Sequence, residues 1–369
     1  MATPSSLLHD AAARRILQRR LLAWFDEAAR DLPWRRTRDP YAIWVSEVML
    51  QQTQVATVIG YFERFLGAFP TVHALAAADE QAVLRLWEGL GYYRRGRALH
   101  AAARRICAEH GGRVPEDPAA LAALPGLGRY TVNAILSQAH EQRLPILEAN
   151  SRRVLCRLLG VRADPRLAPV QQRLWQAAEA LLPRHHIGAF NQALMELGAL
   201  VCTPRAPDCP ACPLRAACAA RRLGLVDAIP ALARGPAVEE VREVAVALRR
   251  GTKVLLVQRP AAGRWAGLWE FPRRPMTENS AAAEAAGLIA TLGLRADVTA
   301  ELTTIRHSVT RFRITVVCLE ARWRGGRLRP GAYARGVWAS LAELAEYPCS
   351  RPQRRLAAAL LTHSHSAST

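Results

Sequence analysis

Four cysteines close together in the sequence form a candidate site for one metal centre. They are Cys202, Cys209, Cys212 and Cys218, spaced C-x6-C-x2-C-x5-C in a proline-rich segment. Four thiolates this near one another can wrap a single tetrahedral or cuboidal centre. The spacing by itself is compatible with either a zinc site or an iron–sulfur cluster. The remaining cysteines are scattered among apolar residues, which is typical of core positions.

A glycine-containing turn lies between two stretches that are compatible with helices. Residues 124–130 read Leu-Pro-Gly-Leu-Gly-Arg-Tyr. Gly126 and Gly128 permit a tight hairpin that brings backbone N–H groups and a helix N-terminus onto a phosphate. Such a turn between helices is most often only a turn. The nearby cysteine segment and the positive charge of the chain favour the phosphate-binding interpretation.

Glu47 is a candidate general acid because its predicted helix is otherwise apolar around it. Trp44, Val48 and Leu50 border it in the sequence. A carboxyl group with such neighbours should have a raised pKa, which suits proton donation. The alternative is a solvated glutamate on the outer face of the helix, and the helix alone favours that plainer interpretation.

The charge of the chain indicates an acidic partner. The 369 residues carry 50 Lys and Arg against 31 Asp and Glu, a formal net charge of +19. This excess favours a nucleic acid. Lys253 is the only lysine, so a Schiff-base mechanism would have to use it or a processed N-terminus. Without an apolar run of about 18 residues or a secretory signal, we expect a cytoplasmic, nucleoid-associated protein with no membrane partner.

The pattern of apolar residues along the sequence divides the chain into an all-α part and an α+β part. Residues 1–224 read as helical, 225–240 as a linker, and 241–362 as alternating strands with two helical stretches. Residues 363–369 read as a disordered tail. We therefore expect an all-α unit joined to a smaller α+β unit.

Several of these segments together resemble the A/G-specific adenine DNA glycosylase (MutY) family of the endonuclease III superfamily. The segments are Leu-Pro-Trp-Arg at 32–35, Val-Ser-Glu-Val-Met-Leu-Gln-Gln-Thr-Gln at 45–54, Gly-Leu-Gly-Tyr-Tyr at 89–93, the turn at 124–130 and the cysteine segment. The resemblance covers about Leu22 to Cys218, and the C-terminal part continues it.

The resemblance implies a multi-domain fold and a cofactor. The all-α helix-hairpin-helix glycosylase unit would comprise a barrel at about 35–140 and an iron–sulfur domain at about 141–224 that packs with the N-terminal helix. A C-terminal α+β Nudix-like domain at 241–362 would recognise 8-oxoguanine. The four cysteines of the spaced segment would hold a 4Fe-4S cluster.

The resemblance also implies the catalytic residues. Glu47 matches the family's general acid, which protonates adenine. Glu148 falls at the position of the family's second carboxylate. Asn150 matches the asparagine that follows that carboxylate. Tyr130 falls where bifunctional relatives carry a Schiff-base lysine, which implies a monofunctional enzyme. Asn150 and Tyr130 are expected to position Glu148 and the incoming water.

The resemblance assigns contacts with DNA to a further set of residues. Among them Gln52 would lie beside the flipped adenine, Tyr92 would wedge into the base stack near the oxidised guanine, and Gln192 would contact the adenine. The full set is Trp34, Arg35, Leu50, Gln52, Tyr92, Gly126, Gly128, Gln192, His307, Thr310 and Arg311.

The sequence departs from the family pattern at two places. An aspartate–glycine pair of the family reads Glu148-Ala149 here, which keeps the charge, adds a methylene and removes the freedom of glycine. The family's Phe-Ser-His segment reads Val-Thr-Arg at 309–311, after His307. The stretch 281–292 has Glu284 as its one carboxylate, so we expect the Nudix-like domain to bind nucleotides rather than hydrolyse them.

Three functions are compatible with these residues. The first is a monomeric glycosylase that removes adenine opposite 8-oxoguanine or guanine in double-stranded DNA. The second is a non-catalytic mismatch-binding protein that kept the scaffold. The third is a related glycosylase with another mismatched base as its substrate.

Overall fold

The computed structural model describes residue 8 and residues 10–231, 237–277 and 280–366. Its helices are Ala11–Ala28 (α1), Pro40–Leu50 (α2), Val55–Ala68 (α3), Val72–Ala77 (α4), Glu80–Leu86 (α5), Arg94–Glu109 (α6), Pro118–Ala122 (α7), Arg129–His140 (α8), Ala149–Leu159 (α9), Ala168–Leu181 (α10), Ile187–Leu200 (α11), Ala219–Arg222 (α12), Ala281–Thr291 (α13) and Arg351–Ser366 (α14). The strands are Glu239–Arg250 (β1), Lys253–Gln258 (β2), Trp269–Glu270 (β3), Arg273–Pro275 (β4), Leu294–Val309 (β5), Phe312–Gly326 (β6) and Arg335–Ser340 (β7). Short 3₁₀ turns occur at Pro33–Arg35 and Ala342–Ala345.

The chain divides into two compact units that do not follow a single break in the sequence. The first unit comprises Met1–Ala76 and Ala101–Arg234, and the second comprises Ala77–His100 and Gly235–Thr369. The first unit is all-α and the second combines helices with a sheet, which is the predicted architecture. Among the described residues, no helix combines the length and apolarity that crossing a membrane requires.

Local sequence signals explain where the helices of the first unit begin. Asp39 caps α2 by accepting a hydrogen bond from the backbone N–H of Tyr41 at 3.0 Å, and Pro40 occupies the first helical position. Asp10 and Asp117 cap α1 and α7 in the same way. These caps satisfy N–H groups that the helices cannot pair internally.

The main core of the first unit forms where α1, α9, α10 and α11 meet. Leu21, Leu155, Leu174 and Phe190 are almost fully buried there. Burial of such side chains contributes about 1.5–3 kcal/mol each, so this packing holds the ends of α9 and α11 in place.

In the part of the chain that the structure describes, the second unit is built on a seven-stranded sheet. Its strand order is β3-β2-β1-β6-β5, with β4 also paired to β1 and β7 to β2. The β1–β6 pair is parallel and the others are antiparallel. Successive side chains of β1 point to opposite faces, so Val244 and Val246 pack in the core with α13, while Ala245 and Ala247 join the core with α14. Apolar cores therefore cover both faces of the sheet.

Two sequence expectations about element ends differ from the structure. Apolar residues at spacings of three and four predict one helix over residues 43–65. The structure has two helices there, α2 and α3, because Gln52 between them adopts a left-handed backbone with φ of 57°. The tail expected to be disordered from residue 363 continues α14 as far as Ser366, since the preceding Ala and Leu residues are strong helix formers. Residues 367–369, and residues 232–236 of the expected linker, lie outside the described residues.

Candidate active site

One cavity of about 450 Å³ in the first unit contains most of the side chains with catalytic chemistry. Helices α2, α8, α9 and α11 and the 3₁₀ turn Pro33–Arg35 supply its walls. The predicted site residues that it brings together are Trp34, Arg35, Glu47, Leu50, Gln52, Tyr130, Glu148, Asn150 and Gln192. The sequence had placed these residues in one site only through the resemblance.

Glu47 is a buried carboxyl group with two hydrogen-bond donors. It is 4 % exposed, which excludes the alternative of a solvated glutamate. The hydroxyl of Tyr130 donates to Oε2 at 2.6 Å and the amide of Gln138 donates to Oε1 at 2.9 Å. Burial raises the pKa of Glu47, as expected from its apolar neighbours; these two hydrogen bonds oppose the rise, and the charge of Glu148 adds to it.

Tyr130 is oriented toward Glu47. Its hydroxyl donates to Glu47 at 2.6 Å and lies 3.3 Å from the sulfur of Met195. Burial raises the pKa of Tyr130 well above its ordinary value, and the charge of Glu47 acts in the same direction. The sequence analysis placed Tyr130 with Glu148; both line the same cavity, and the hydrogen bond of the Tyr130 hydroxyl goes to Glu47 on α2.

Glu148 is the N-cap residue of α9. Its two carboxylate oxygens accept hydrogen bonds from the backbone N–H groups of Asn150 at 2.7 Å and Ser151 at 2.6 Å. The hydroxyl of Ser151 accepts in return from the backbone N–H of Glu148 at 2.9 Å, which completes a capping box. Ala149 is the first helical residue, so this position does not need the freedom of glycine. The longer side chain of Glu148 is thus held by the helix end.

Asn150 bonds to Glu148 through its backbone N–H, and its side chain bonds to Arg153. Its Oδ1 accepts a hydrogen bond from Arg153 at 2.7 Å, and the same guanidinium donates to the carbonyl of Cys202 at 2.7 Å. A Cβ atom at Gly198 would lie 2.7 Å from the Cβ of Asn150, so only glycine allows α11 to approach here. Asn150 therefore connects the cavity to the cysteine segment.

A third carboxylate in the cavity, Glu196, was missed by the sequence analysis. Glu196 is 1 % exposed and accepts hydrogen bonds from Arg30 at 2.7 and 2.8 Å and from Arg35 at 2.9 and 3.1 Å. Burial would raise the pKa of Glu196, but the two guanidinium groups outweigh it and lower the pKa to about 2. The available signal was an isolated carboxylate in an apolar helix, one turn after Gln192.

The remaining predicted residues of the cavity differ in exposure. Trp34 is buried edge-on against Phe62, with ring centroids 5.5 Å apart, so the body of its ring is part of the core. Leu50 and Gln192 are half-buried in the wall, and Gln52 is exposed at the α2–α3 connection. Gln138, also missed, completes the wall behind Glu47.

The glycine turn has the backbone that the sequence predicts. Gly126 has φ of 80°, which favours glycine, and Gly128 is the N-cap of α8. Both glycines are exposed, and none of the described side chains caps α8. The first N–H groups of this helix are therefore available to an anion.

The four cysteines of the spaced segment line one small cavity of about 30 Å³. They are free thiols, and the buried guanidinium of Arg157 lies 3.3 Å from the sulfur of Cys202. Within the described part of the chain, no three His, Cys, Asp or Glu side chains are arranged as a metal-holding group. The donor set is nevertheless four thiols around one cavity, which suits a four-thiolate centre.

The predicted residues of the second unit lie at two places. Thr310 and Arg311 form the exposed turn between β5 and β6, where Thr310 has φ of 53° and Arg311 lies 3.3 Å from Glu239. His307 is half-buried, 5.7 Å from the ring of Trp265, and burial lowers its pKa. Tyr92 is exposed in a separate turn with φ of 46°.

Comparisons with known families match both parts of the chain. Residues 45–180 match the HhH-GPD superfamily of base excision DNA repair proteins, and residues 243–359 match the NUDIX domain family. The predicted fold class, a helix-hairpin-helix glycosylase unit followed by a Nudix-like domain, is confirmed.

Curated relatives share substantial identity with the chain. The adenine DNA glycosylase of Rattus norvegicus is 40 % identical over 322 residues, which are 73 % of this chain and 62 % of the relative. That of Homo sapiens is 40 % identical over 320 residues, 72 % of this chain and 59 % of the relative. That of Mycobacterium tuberculosis is 45 % identical over 203 residues, 54 % of this chain and 66 % of the relative. The chain thus spans about three fifths of the length of the mammalian relatives.

Solved structures resemble the helical part. A thermostable thymine-DNA glycosylase superposes with a TM-score of 0.53 at 28 % identity, covering 58 % of this chain and 100 % of that one. A trapped endonuclease III–DNA covalent intermediate superposes with a TM-score of 0.51 at 22 % identity, covering 61 % of this chain and 100 % of that one. The second likeness is one of fold alone.

Proposed function

The chain belongs to the adenine DNA glycosylase family, and on that premise we propose that it hydrolyses the N-glycosidic bond of adenine mispaired with 8-oxoguanine or guanine in double-stranded DNA. The observation that carries the proposal is the pair of carboxyl groups in one cavity. Glu47 is buried with a raised pKa, and Glu148 is anchored by two backbone N–H groups. Two carboxyl groups in contrasting environments are suited to acid and charge-stabilising roles.

The first step is protonation of the base. Glu47, whose pKa is raised by burial, donates its proton to N7 of the adenine. The electron pair of the C1′–N9 bond then leaves with the base, and an oxocarbenium ion forms on the sugar. The buried glycosidic bond of a duplex is out of reach of such a group, so the adenine must first be flipped out of the stack.

The second step is stabilisation and hydrolysis of the sugar cation. Glu148 stabilises the cation by its charge or traps it covalently, as paired carboxylates do in sugar hydrolases. A water oxygen attacks C1′, and that water gives up a proton to a general base. Asn150 assists by donating its backbone N–H to Glu148 at 2.7 Å.

The enzyme acts without a Schiff base. Tyr130, not lysine, stands at the start of α8, and its phenol is committed to Glu47. The one lysine of the chain, Lys253, lies in β2 of the other unit. The amine that a lyase reaction needs is therefore missing from the first unit's side chains.

Contacts with the duplex come from both units. The uncapped N-terminus of α8, with Gly126 and Gly128, binds a phosphate. Arg35 and Gln192 bind the flipped adenine, with Trp34, Leu50 and Gln52 around it. Tyr92 enters the stack near the opposing base, which His307, Thr310 and Arg311 help to read.

The four cysteines of the spaced segment hold a 4Fe-4S cluster. A bound cluster supplies a cross-link for the loop that contains them, since thiolate ligation folds short segments around the metal. We assign residues 1–224 to the glycosylase part of the sequence, 225–240 to a linker and 241–362 to the Nudix-like domain, although Ala77–His100 of the first part packs with the second compact unit. The protein acts as a monomer.

A single-turnover assay with Glu47→Gln tests the proposal. Wild-type protein should excise adenine from an A:8-oxoguanine duplex, and Glu47→Gln should be slower by more than about 100-fold, since it cannot donate the proton. Its affinity for the duplex should stay near that of wild type. Glu63→Gln, an exposed glutamate of α3, is the matched control and should be unchanged. Binding without excision by wild-type protein would instead identify a mismatch-binding protein.

A further inference from the structure

Tyr92 lies in a turn that belongs to the second unit, although the matching glycosylase family model spans it. The family match covers residues 45–180, whereas Ala77–His100 forms one compact body with Gly235–Thr369. The ring of Tyr92 is 47 % exposed and its φ is 46°. An exposed aromatic ring on a left-handed residue needs a firmly held turn.

One side of this turn is fixed by its own helix. The guanidinium of Arg95 donates to the carbonyls of Leu90 and Gly91 at 3.3 Å each, and it lies 5.5 Å from the ring centroid of Tyr92. The hydroxyl of Tyr93 accepts a hydrogen bond from the backbone N–H of Gly89 at 3.3 Å. These bonds shape the turn but leave its position in the unit undetermined.

The other side is fixed by an ion pair with α14. Arg354 donates from Nε and Nη2 to the two carboxylate oxygens of Glu88 at 2.6 and 2.9 Å. The same carboxylate accepts from the backbone N–H of Cys349 at 3.2 Å, and the hydroxyl of Tyr93 donates to the carbonyl of Cys349 at 3.2 Å. Bidentate guanidinium–carboxylate pairs fix both distance and direction.

This ion pair is more than a surface contact. The side chains of Glu88 and Arg354 are 18 % and 27 % exposed, and Arg354 also donates to the carbonyls of Leu344, Ala345 and Tyr347. Arg354 thereby ties the segment before α14 to the turn. Breaking a partly buried ion pair whose groups also make other hydrogen bonds costs more free energy than breaking an exposed one.

We propose that Glu88 and Arg354 are positioning residues for Tyr92, so that the body that carries the Nudix-like sheet also sets where the wedge enters the base stack. The inference rests on the proposed function. It makes the response to the opposing base depend on an ion pair that touches neither DNA nor the adenine cavity.

A double-mutant cycle tests this role. Single-turnover excision is measured on A:8-oxoguanine and A:G duplexes for wild type, Glu88→Gln, Tyr92→Ala and the combination. Glu88→Gln should slow excision about tenfold on A:8-oxoguanine, since small misplacements of a positioning group cost this much or more. In the Tyr92→Ala background it should have almost no further effect, because the group that it positions is gone.

A second variant and a matched control separate positioning from folding. Arg354→Gln should impair excision as Glu88→Gln does, because it breaks the same ion pair. Glu109→Gln removes the same charge from an exposed bidentate pair with Arg105 and should leave excision unchanged. Thermal unfolding of each variant is recorded alongside.

Two results would overturn the inference: unchanged excision in Glu88→Gln or Arg354→Gln, or a loss in Glu88→Gln that adds in full to that of Tyr92→Ala. Failure of the proposed function gives a different result, since wild-type protein itself would then excise no adenine. Duplex affinities of the same variants would then decide the inference, and equal affinities in wild type and Glu88→Gln would overturn it.

Discussion

The hydroxyl of Tyr130 donates a 2.6 Å hydrogen bond to Oε2 of Glu47. This bond favours the ionised carboxylate and so opposes the rise in the pKa of Glu47 that burial causes. Tyr130 therefore tunes the candidate acid of the proposed reaction.

Tyr130→Phe should move the pH dependence of excision upward. Without the hydroxyl, the pKa of Glu47 rises further, so the protonated acid persists to higher pH and the alkaline limb of the rate profile shifts that way. Single-turnover rates across the pH range measure the shift, with Tyr61→Phe on α3 as the control. A limb that stays in place or moves to lower pH would contradict this account.

Glu148→Gln should slow excision by at least about 100-fold, since a preorganised charge beside the developing cation is lost. The neutral side chain retains a cap acceptor, so the melting temperature should fall only slightly. Glu148→Asp keeps the charge, but its side chain is one methylene shorter and holds the carboxylate farther from the cation. We expect excision to slow by about tenfold, which is less than for Glu148→Gln. A Gln variant as fast as wild type would remove Glu148 from the mechanism.

Glu196→Gln should destabilise the first unit by about 1–3 kcal/mol, because two guanidinium groups lose charge-assisted partners in a largely buried place. Urea unfolding of this variant and of Glu179→Gln, an exposed glutamate of α10, measures the difference. The pKa of Glu196 lies near 2 instead of 4.5. The stability that the ionised Glu196 contributes is therefore present above about pH 4.5 and is lost as the pH falls toward 2. Equal unfolding free energies for the two variants would show that the ion pairs of Glu196 do not stabilise the first unit.

Cys212→Ser should lower the iron content of anaerobically purified protein and weaken its yellow-brown absorption, because one thiolate of the four is removed. Cys107→Ser, outside the spaced segment, should retain both. Stoichiometric zinc without iron in wild-type protein would replace the iron–sulfur proposal with a zinc site.

Borohydride should not trap an efficient covalent adduct between the protein and a cleaved duplex, since Lys253 lies outside the first unit. Gel electrophoresis after reduction measures the adduct. Strong trapping that Lys253→Ala abolishes would show that the enzyme is bifunctional.

Much of the site was predictable because its signals are local. The apolar neighbours of Glu47 are within three residues of it, and they correctly predicted a raised pKa. The spacing of Gly126 and Gly128 predicted a tight turn, and the alternation of Val244, Val246 and Leu248 predicted a strand. Backbone conformation and periodic burial depend on neighbours in sequence, so these features can be read from short segments.

The partners of the acid were decided by tertiary structure alone. Gln138 is 91 residues from Glu47, and Arg30 is 166 residues from Glu196. No local pattern pairs them, because their approach depends on how α2, α8 and α11 pack in the first unit. The same holds for Glu88 and Arg354, which are 266 residues apart. The sequence by itself indicated the family resemblance, most helices and strands and Glu47 as a candidate acid. The hydrogen bonds that tune the pKa of Glu47 and the position of Tyr92 depend on contacts that form only when distant segments bury their apolar faces together.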